Sequence, residues 1–245
     1  MSHNPPPRTI PLEQYEAFTH ERKIPVEYTY VDESFFRDRP PVYEKEVVDQ
    51  YIPHVHARKN NYYGITDQYL YQALEMFPIE GKSVGIMGST TPWYESIAIA
   101  FGASPTTIDY NKIISHDPRI QSLSVEEIRA NPVEFDALIS ISSFEHDGLG
   151  RYGDPINPDG DLLEMEKAKE MLKPGGHLFL AIPVGRDLLN WNVHRVYGAL
   201  RLPQLLKGWE VLGSWGFSMT DLDQYLDGTT HQPLFLCKKP ERLCY

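Results

Sequence analysis

Hydrophobic positions along this chain follow two spacings, and from about residue 66 the two alternate. Apolar residues from Tyr69 to Phe77 recur at helical spacing and predict a helix. We expect Thr66 to cap this helix, and Pro78 and Gly81 to end it. The segments that follow are predicted as a strand at Ser83–Met87, a helix at Trp93–Phe101, strands at Thr106–Ile108 and Phe135–Ile141, a helix at Asp161–Leu172, and strands at His177–Ile182, Trp209–Trp215 and Leu234–Cys237.

Strands that alternate with helices predict crossover connections, a mostly parallel sheet and therefore an α/β fold. Such sheets bind ligands beyond the carboxyl ends of their strands, near the point where the strand order reverses. In the helix at Asp161–Leu172, Asp161 and Glu164 have the spacing of a capping box. The strand ends at which we expect chemistry are Gly88–Thr91, Asp109–Asn111, Ser142–Asp147 and Pro183–Arg186.

The bulk composition agrees with one folded α/β domain that carries an N-terminal extension. The chain has 245 residues, of which 41% are hydrophobic and 23% are charged. Its formal net charge of -11 argues against nucleic acid as the main partner, because such a partner requires a concentrated basic face.

Cysteine content and hydropathy restrict the expected location. Cys237 and Cys244 make neither a disulfide framework nor a four-ligand zinc site, which favours a reducing compartment. No stretch approaches the roughly 20 apolar residues that span a bilayer, and the N-terminus has no apolar signal core. We expect a soluble, cytoplasmic protein without a membrane partner, and leave its oligomeric state open.

Residues 1–60 differ from the rest, because prolines interrupt regular structure there. The same region is rich in tyrosine and phenylalanine, in which disordered tails are usually poor. We therefore expect an irregular N-terminal arm at 1–60 that packs on a domain formed by 61–245. In this arm, His54 and His56 lack the further ligands of a recognisable metal site, so no metal is predicted.

The first strand end resembles a nucleotide-binding turn. A strand, a tight turn at Gly88 and a helix that begins near Pro92 leave free backbone amides for a ligand, and glycine allows its close approach. Ser89 and Thr90 are the other candidate binding residues of this loop. An ordinary turn between a strand and a helix is the alternative interpretation.

The second strand end carries Asp109 and Tyr110. An acidic residue about 20 positions after the glycine turn is placed to bind the two hydroxyls of a ribose, and Tyr110 is placed to flank a base. The alternative is a solvated aspartate, or a carboxylate that caps Asn111 and Lys112.

The third strand end, within Ser140–Asp154, is the richest in ionisable groups. Glu145 and His146 are candidate acid–base residues, and Arg151 is a candidate for binding an anionic group. Asp147 completes the predicted catalytic set. The alternative is a structural network in which Glu145 and Asp147 cap the backbone or pair with Arg151.

Two later segments are less informative. Met171–His177 contains a proline and two glycines, which predict a sharp structural turn between helix and strand. The segment from Trp191 to Arg201 is predicted either to cover the pocket or to form an amphipathic surface helix.

Taken together, the Gly88 turn, Ile108-Asp109, Ser143-Phe-Glu-His146 and Leu172-Lys-Pro-Gly-Gly176 resemble class I S-adenosylmethionine-dependent methyltransferases. More narrowly, Ser142–Pro155 and His194–Gly198 resemble the family called domain of unknown function 268. The resemblance implies a Rossmann-like methyltransferase fold, with a mostly parallel seven-stranded sheet and helices on both faces. It also implies S-adenosylmethionine as cofactor, bound by Gly88, Ser89, Thr90, Asp109, Tyr110 and Ser143.

The chain departs from the methyltransferase pattern at three positions, Ile86, Thr90 and Pro92, where that family usually has an acid and two glycines. Two functions are therefore compared. The first is methyl transfer to a small molecule, a sugar derivative or a protein, with Glu145 or His146 as base. The second is a methyltransferase-like fold that has lost the cofactor and binds or converts another ligand.

Overall fold

The computed structural model describes residues 5–37, 39–225 and 231–241, so Cys244 lies outside the described residues. The strands are β1 Val26–Tyr28, β2 Val42–Tyr43, β3 Ser83–Met87, β4 Ser104–Asp109, β5 Ile114–Ser115, β6 Gln121–Ser124, β7 Phe135–Ile141, β8 Leu172–Ala181, β9 Leu188–Trp191, β10 His194–Val196, β11 Glu210–Trp215 and β12 Leu234–Lys238. The α-helices are α1 Tyr15–Phe18, α2 Lys45–His56, α3 Ile65–Met76, α4 Trp93–Ala100, α5 Val125–Ala130, α6 Gly160–Met171 and α7 Leu202–Leu205.

Seven strands form the central sheet in the order β6–β4–β3–β7–β8–β12–β11. The five strands from β6 to β8 pair in parallel, whereas β12 is antiparallel to both of its neighbours. The chain leaves β3 for β4 on one side and reaches β7 on the other. The strand order therefore reverses at β3, which places a crevice between the ends of β3 and β7.

Helices cover both faces of this sheet because the side chains of each buried strand alternate between two cores. In β7, Ile139 packs with α3 and α4 in one apolar cluster, whereas Leu138 packs with α6 and α7 in the other. The predicted α/β fold, with its mostly parallel seven-stranded sheet, is confirmed. Among the described residues, no helix is both long enough and apolar enough to cross a membrane.

The N-terminal segment joins the domain through two small sheets. Strand β1 pairs in parallel with β9, and β2 pairs in parallel with β5. Phe18 packs edge-on against Trp191, with 5.1 Å between the ring centroids. Helix α2 lies against α4 through an apolar cluster to which it contributes Val48.

Two predicted helix caps are wrong. The N-cap of α3 is Gly64, and the hydroxyl of Thr66 instead donates to the carbonyl of Gln232. The N-cap of α6 is Asp159, and Asp161 is fully buried and accepts hydrogen bonds from Arg201. In both places the side chain that was predicted to cap the helix forms a hydrogen bond with a residue distant in sequence instead, Gln232 for Thr66 and Arg201 for Asp161.

The turn predicted in Met171–His177 lies inside a strand. Helix α6 ends at Met171 and β8 begins directly at Leu172, with Gly175 at a φ of +73° between Leu172 and His177. The pairing of β7 with β8 shifts register between Phe135 and Ala137, which accommodates the glycines within the strand. The segment from Trp191 to Arg201 does not form the alternative surface helix, because β9 and β10 pair there.

Candidate functional site

A cavity of about 360 Å³ opens where the carboxyl ends of β3, β4 and β7 meet. Its volume lies within the range of about 300–1,000 Å³ that is usual for small-molecule and cofactor sites. Other parts of the wall come from α5, from α6 and from Pro41, which immediately precedes β2. The predicted site residues that line it are Gly88, Thr90, Asp109, Tyr110, Ser143, His146 and Asp147.

The turn at Gly88 brings the ends of β3 and β7 into direct contact. Gly88 has a φ of +70°, and a Cβ atom built on it would lie 2.0 Å from the hydroxyl oxygen of Ser143. Only glycine fits this position without displacement, because both the backbone conformation and the neighbouring side chain exclude a larger residue. The resulting crevice is the point of reversal expected for a ligand site.

Hydrogen bonds to Ser89 hold the loop from Gly88 to Pro92 in place. The hydroxyl of Tyr43 donates to the carbonyl of Ser89 at 2.5 Å. The hydroxyl of Ser89 lies 2.7 Å from the carbonyl of Thr91 and 3.1 Å from Oε2 of Glu95. Ser89 is thus engaged within the loop and does not line the cavity, whereas Thr90 does.

Asp109 ends β4 and faces the cavity with a carboxyl that is only partly satisfied. Its Oδ1 accepts from the backbone amide of Asn111 at 2.8 Å, and no further hydrogen bond to this carboxyl is found within the described ranges. Burial raises the pKa of Asp109 to about 6. The local turn therefore uses one oxygen, and the other remains available to a ligand.

Glu145 and His146 lie in a short 3₁₀-helix, Phe144–His146, just after β7. Glu145 is fully buried and accepts from the hydroxyl of Ser142 at 2.6 Å, while its Oε2 has no hydrogen-bond partner among the described residues. Burial raises the pKa of Glu145 to about 7. Glu145 does not line the cavity, but His146, which contacts it, does.

His146 is neutral and has a defined tautomer. Burial, together with the charge of Arg151, lowers the pKa of His146 to about 3. Nδ1 contacts the carbonyl of Val193, which can only accept, so Nδ1 carries the hydrogen. Nε2 is then an acceptor, and it lies 3.6 Å from Oε1 of Glu145.

Arg151 and Asp147 differ in what they contact. Arg151 is absent from the cavity wall, because its Nε pairs with Glu33 of the N-terminal segment at 2.6 Å. Asp147 does line the cavity, and burial followed by the charge of Glu164 raises the pKa of Asp147 well above its usual value. The structure thus brings Asp147 to His146 and Asp109, but not Arg151.

The loop that carries these groups is held by buried arginines. Arg195 donates to the carbonyl of Asp147 at 2.7 Å and to that of Glu145 at 3.3 Å. Arg201 pairs with the buried Asp161 at the start of α6. The sequence indicated Arg195 and Arg201 only as members of a segment that follows a predicted buried strand, and it did not predict these contacts. None of the residues from Trp191 to Arg201 lines the cavity.

Sequence reasoning also missed part of the cavity wall and its support. Asn111, Tyr152 and Lys167 line the cavity, and Glu95 supports the Gly88 loop from within α4. Glu95 lies inside the predicted apolar helix Trp93–Phe101, and its charge among apolar residues was the feature that could have indicated a special role. His54 and His56 lie at the exposed end of α2, and no cluster of three metal-binding side chains occurs in the described part of the chain.

A protein-family sequence model matches more than half of this chain. The sequence model described as "Caenorhabditis protein of unknown function, DUF268" matches residues 81–232. The chain belongs to this family. The DUF268 region contains every predicted site residue, whereas Tyr43 and Glu33, which contact the site loops, lie before it. Among curated proteins, no sequence match is significant.

Solved structures share the fold of this DUF268 protein. Burkholderia thailandensis 1,6-didemethyltoxoflavin-N1-methyltransferase, with bound 1,6-didemethyltoxoflavin and S-adenosylhomocysteine, is 12% identical with a TM-score of 0.56, covering 89% of this chain and 94% of that one. Haemonchus contortus phosphoethanolamine N-methyltransferase 2, in complex with S-adenosyl-L-methionine, is 15% identical with a TM-score of 0.50, covering 86% and 61%. At these identities the similarity establishes the Rossmann-like methyltransferase fold.

Proposed function

We propose that this protein is an S-adenosylmethionine-dependent methyltransferase. The observation that carries the proposal is that a glycine turn and a half-buried carboxyl with one free oxygen lie on one cavity wall, at the ends of adjacent parallel strands. Proteins of the same fold have been solved with S-adenosylmethionine or its product, which supports the choice of ligand.

The nucleoside part of the cofactor fits the residues present. The free oxygen of Asp109 would accept hydrogen bonds from ribose hydroxyls, and Tyr110, which is 47% exposed and lines the cavity, would flank the base. Gly88 lets the ligand approach the backbone closely, because a side chain there would fill the crevice. The cavity volume of about 360 Å³ suits a ligand of nucleoside size.

The amino acid part of the cofactor must be held without an acid from β3. Ile86 is 1% exposed and packs in the apolar core, so position 86 offers nothing to a ligand. Thr90 and Ser143, which both line the cavity, would supply hydroxyl groups instead. We propose these two residues as the polar contacts that replace the missing carboxylate.

Bound S-adenosylmethionine would supply an electrophilic methyl group on its sulfonium sulfur. The protein then has to align an acceptor and remove its proton. We propose Glu145 or His146 as the base. The pKa of His146 is lowered to about 3, so Glu145, whose Oε1 lies 3.6 Å from Nε2 of the cavity-lining His146, is the group that can hold the proton at neutral pH. With a pKa near 7, Glu145 can exchange a proton at neutral pH.

We propose a small molecule, a sugar derivative or a protein side chain as the acceptor. The net charge of -11 makes nucleic acid an unfavourable partner. A second candidate function, the binding of a different ligand by this fold, is favoured by Ile86 and Thr90.

Calorimetric titration with S-adenosylmethionine tests the proposal directly. We expect binding in the micromolar range by the natural protein and at least tenfold weaker binding by Asp109→Ala, equivalent to about 1.4 kcal/mol. Asp49→Ala, which removes an exposed carboxylate of α2 outside the cavity wall, should bind like the natural protein. Failure of the natural protein to bind would reject the proposal and favour the second candidate.

A further inference from the structure

A fully buried carboxyl lies beneath the Gly88–Pro92 loop. Glu95, in the first turn of α4, has no exposed surface and does not line the cavity. Its Oε1 accepts from the hydroxyl of Thr107 at 2.7 Å, and its Oε2 lies 3.1 Å from the hydroxyl of Ser89. Glu95 thus connects β4 to the loop after β3.

The hydrogen bonds around Ser89 fix the location of one proton. The Ser89 oxygen also lies 2.7 Å from the carbonyl of Thr91, and two oxygens at that distance require a hydrogen between them. A carbonyl can only accept, so the single hydrogen of Ser89 points to Thr91. The remaining contact, between Ser89 and Glu95, is then a hydrogen bond only if Glu95 carries the hydrogen.

The surroundings of Glu95 also disfavour its charge. No lysine, arginine or histidine forms an ion pair with it in the described part of the chain, and the ionisable groups that interact with it electrostatically include Asp109 and Tyr43, neither of which is a base. Helix α2, which packs against α4, contributes the apolar Val48 and Ile52 to the cluster beside this region. An unpaired buried charge is costly, so the carboxyl is more stable when protonated.

We propose that Glu95 is a neutral carboxylic acid that donates a hydrogen bond to Ser89 and thereby holds the Gly88–Pro92 loop in its ligand-binding shape. Glu95 would be a positioning residue, since it acts through Ser89 and touches no ligand itself. The identity of the ligand rests on the proposed methyltransferase function, whereas the protonation of Glu95 does not.

Loss of this proton should change the loop. Burial raises the pKa of Glu95 to about 7, and the hydrogen bonds that Thr107, the Glu95 backbone amide and Ser89 can donate to the ionised carboxylate oppose that rise. Once Glu95 is ionised, the hydroxyl of Ser89 is drawn to the carboxylate and releases the carbonyl of Thr91. We therefore expect ligand affinity to decrease as the pH rises through about 7.

The first experiment requires no ligand. Glu95→Gln mimics the neutral acid, because the amide can donate to Ser89 and accept from Thr107. The folded pKa of Glu95 lies above the unfolded value of 4.5, so the natural protein should lose stability relative to this variant as the pH rises from 4.5 to about 7, and no more above. We expect a difference on the order of 5 °C in Tm at pH 8 compared with pH 4.5. Parallel Tm curves for the two proteins would overturn the proposal.

The second experiment measures S-adenosylhomocysteine affinity between pH 6 and 8.5. We expect affinity of the natural protein to fall roughly fivefold above pH 7, whereas Glu95→Gln should lack this decrease. Both proteins retain Asp109 and the titrating groups of the ligand, so the difference isolates Glu95. The exposed Glu75→Gln should keep the natural profile.

The two experiments separate the possible failures. The same alkaline decrease in Glu95→Gln would overturn the positioning role. Ser89→Ala should also lack the alkaline decrease, because the contact through which Glu95 acts is gone, while its Tm should keep the pH dependence due to Glu95. Absence of binding by all variants would reject the proposed methyltransferase function, and the Tm comparison would still decide the protonation of Glu95.

Discussion

At the scale of single residues, the candidate site contains a half-buried and a fully buried acid, Asp109 and Glu145, whose carboxyls have no lysine or arginine partner in the described residues. Burial outweighs the hydrogen bonds that stabilise their charged forms, and raises the pKa values to about 6 and about 7, close to neutral pH. Acids with such pKa values are typical of ligand and proton-transfer sites, because both protonation states remain accessible.

Glu145→Gln should separate a catalytic role from a structural one. The folded pKa of Glu145 lies above its ordinary value of 4.5, so protonation stabilises the fold, and this contribution is lost as the pH rises through about 7. We therefore expect the variant to lose less stability than the natural protein between pH 4.5 and 8. We expect methyl transfer to fall at least tenfold in the same variant.

The measurements for Glu145→Gln are thermal unfolding across this pH range and release of S-adenosylhomocysteine with any acceptor that supports turnover. Cofactor affinity, measured in parallel, should change less than twofold, because Glu145 lies outside the cavity wall. Full turnover in the variant would show that Glu145 is not the proton acceptor.

At the scale of elements, the β3–loop–α4 unit was the most predictable part of the site. The apolar run Ser83–Met87 has the observed strand bounds, and Gly88 forms the predicted turn with positive φ. Local sequence determines these features because a buried strand and a glycine turn depend on few distant contacts. The contact between Gly88 and Ser143 was not predictable, since it joins elements that only the folded sheet brings together.

Gly88→Ala tests this contact against a matched control. Gly81 has the same φ of +70°, but a Cβ atom there would meet nothing within 4 Å. Both alanine variants should lose about 1 kcal/mol from backbone strain. Only Gly88→Ala should also displace Ser143 and weaken S-adenosylhomocysteine binding by tenfold or more.

Urea unfolding and calorimetric titration would measure the two effects. Ser143→Gly in the Gly88→Ala background removes the clashing side chain, and so should recover stability. Equal behaviour of Gly88→Ala and Gly81→Ala in both measurements would contradict the proposed close approach of ligand and backbone at this turn.

Some elements could not be derived from their own residues. Strand β6 escaped prediction because Gln121–Ser124 is a polar edge strand with no fully buried residue. Its neighbour α5 nonetheless begins with a capping box in which Ser124 and Glu127 exchange hydrogen bonds. The capping box predicted at Asp161 is absent, because the carboxylate of Asp161 is bound by the buried Arg201, 40 residues further along the chain.

At the scale of the whole molecule, the N-terminal segment contributes directly to the site region. Pro41 lines the cavity, and Tyr43 donates to the loop carbonyl of Ser89, which lies 46 residues further along the chain. Tyrosine content indicated that this segment packs, but it could not indicate where. Arg151, predicted at the ligand, instead joins the same segment through Glu33. The described part of the N-terminal segment therefore contacts two loops of the candidate site, through Tyr43 and through Glu33.

Tyr43→Phe tests whether that connection supports ligand binding, with Tyr71→Phe as the matched control. Both hydroxyls donate to a backbone carbonyl from a buried ring, Tyr43 to Ser89 and Tyr71 to Lys59, so each variant should lose about 1 kcal/mol of unfolding free energy. Only Tyr43→Phe frees the Gly88–Pro92 loop, and its affinity for S-adenosylhomocysteine should fall roughly fivefold while that of Tyr71→Phe is unchanged. If both variants lose stability equally and bind alike, the N-terminal segment stabilises the fold without shaping the site, and the contacts of Ser89 with Thr91 and Glu95 are sufficient to hold the loop.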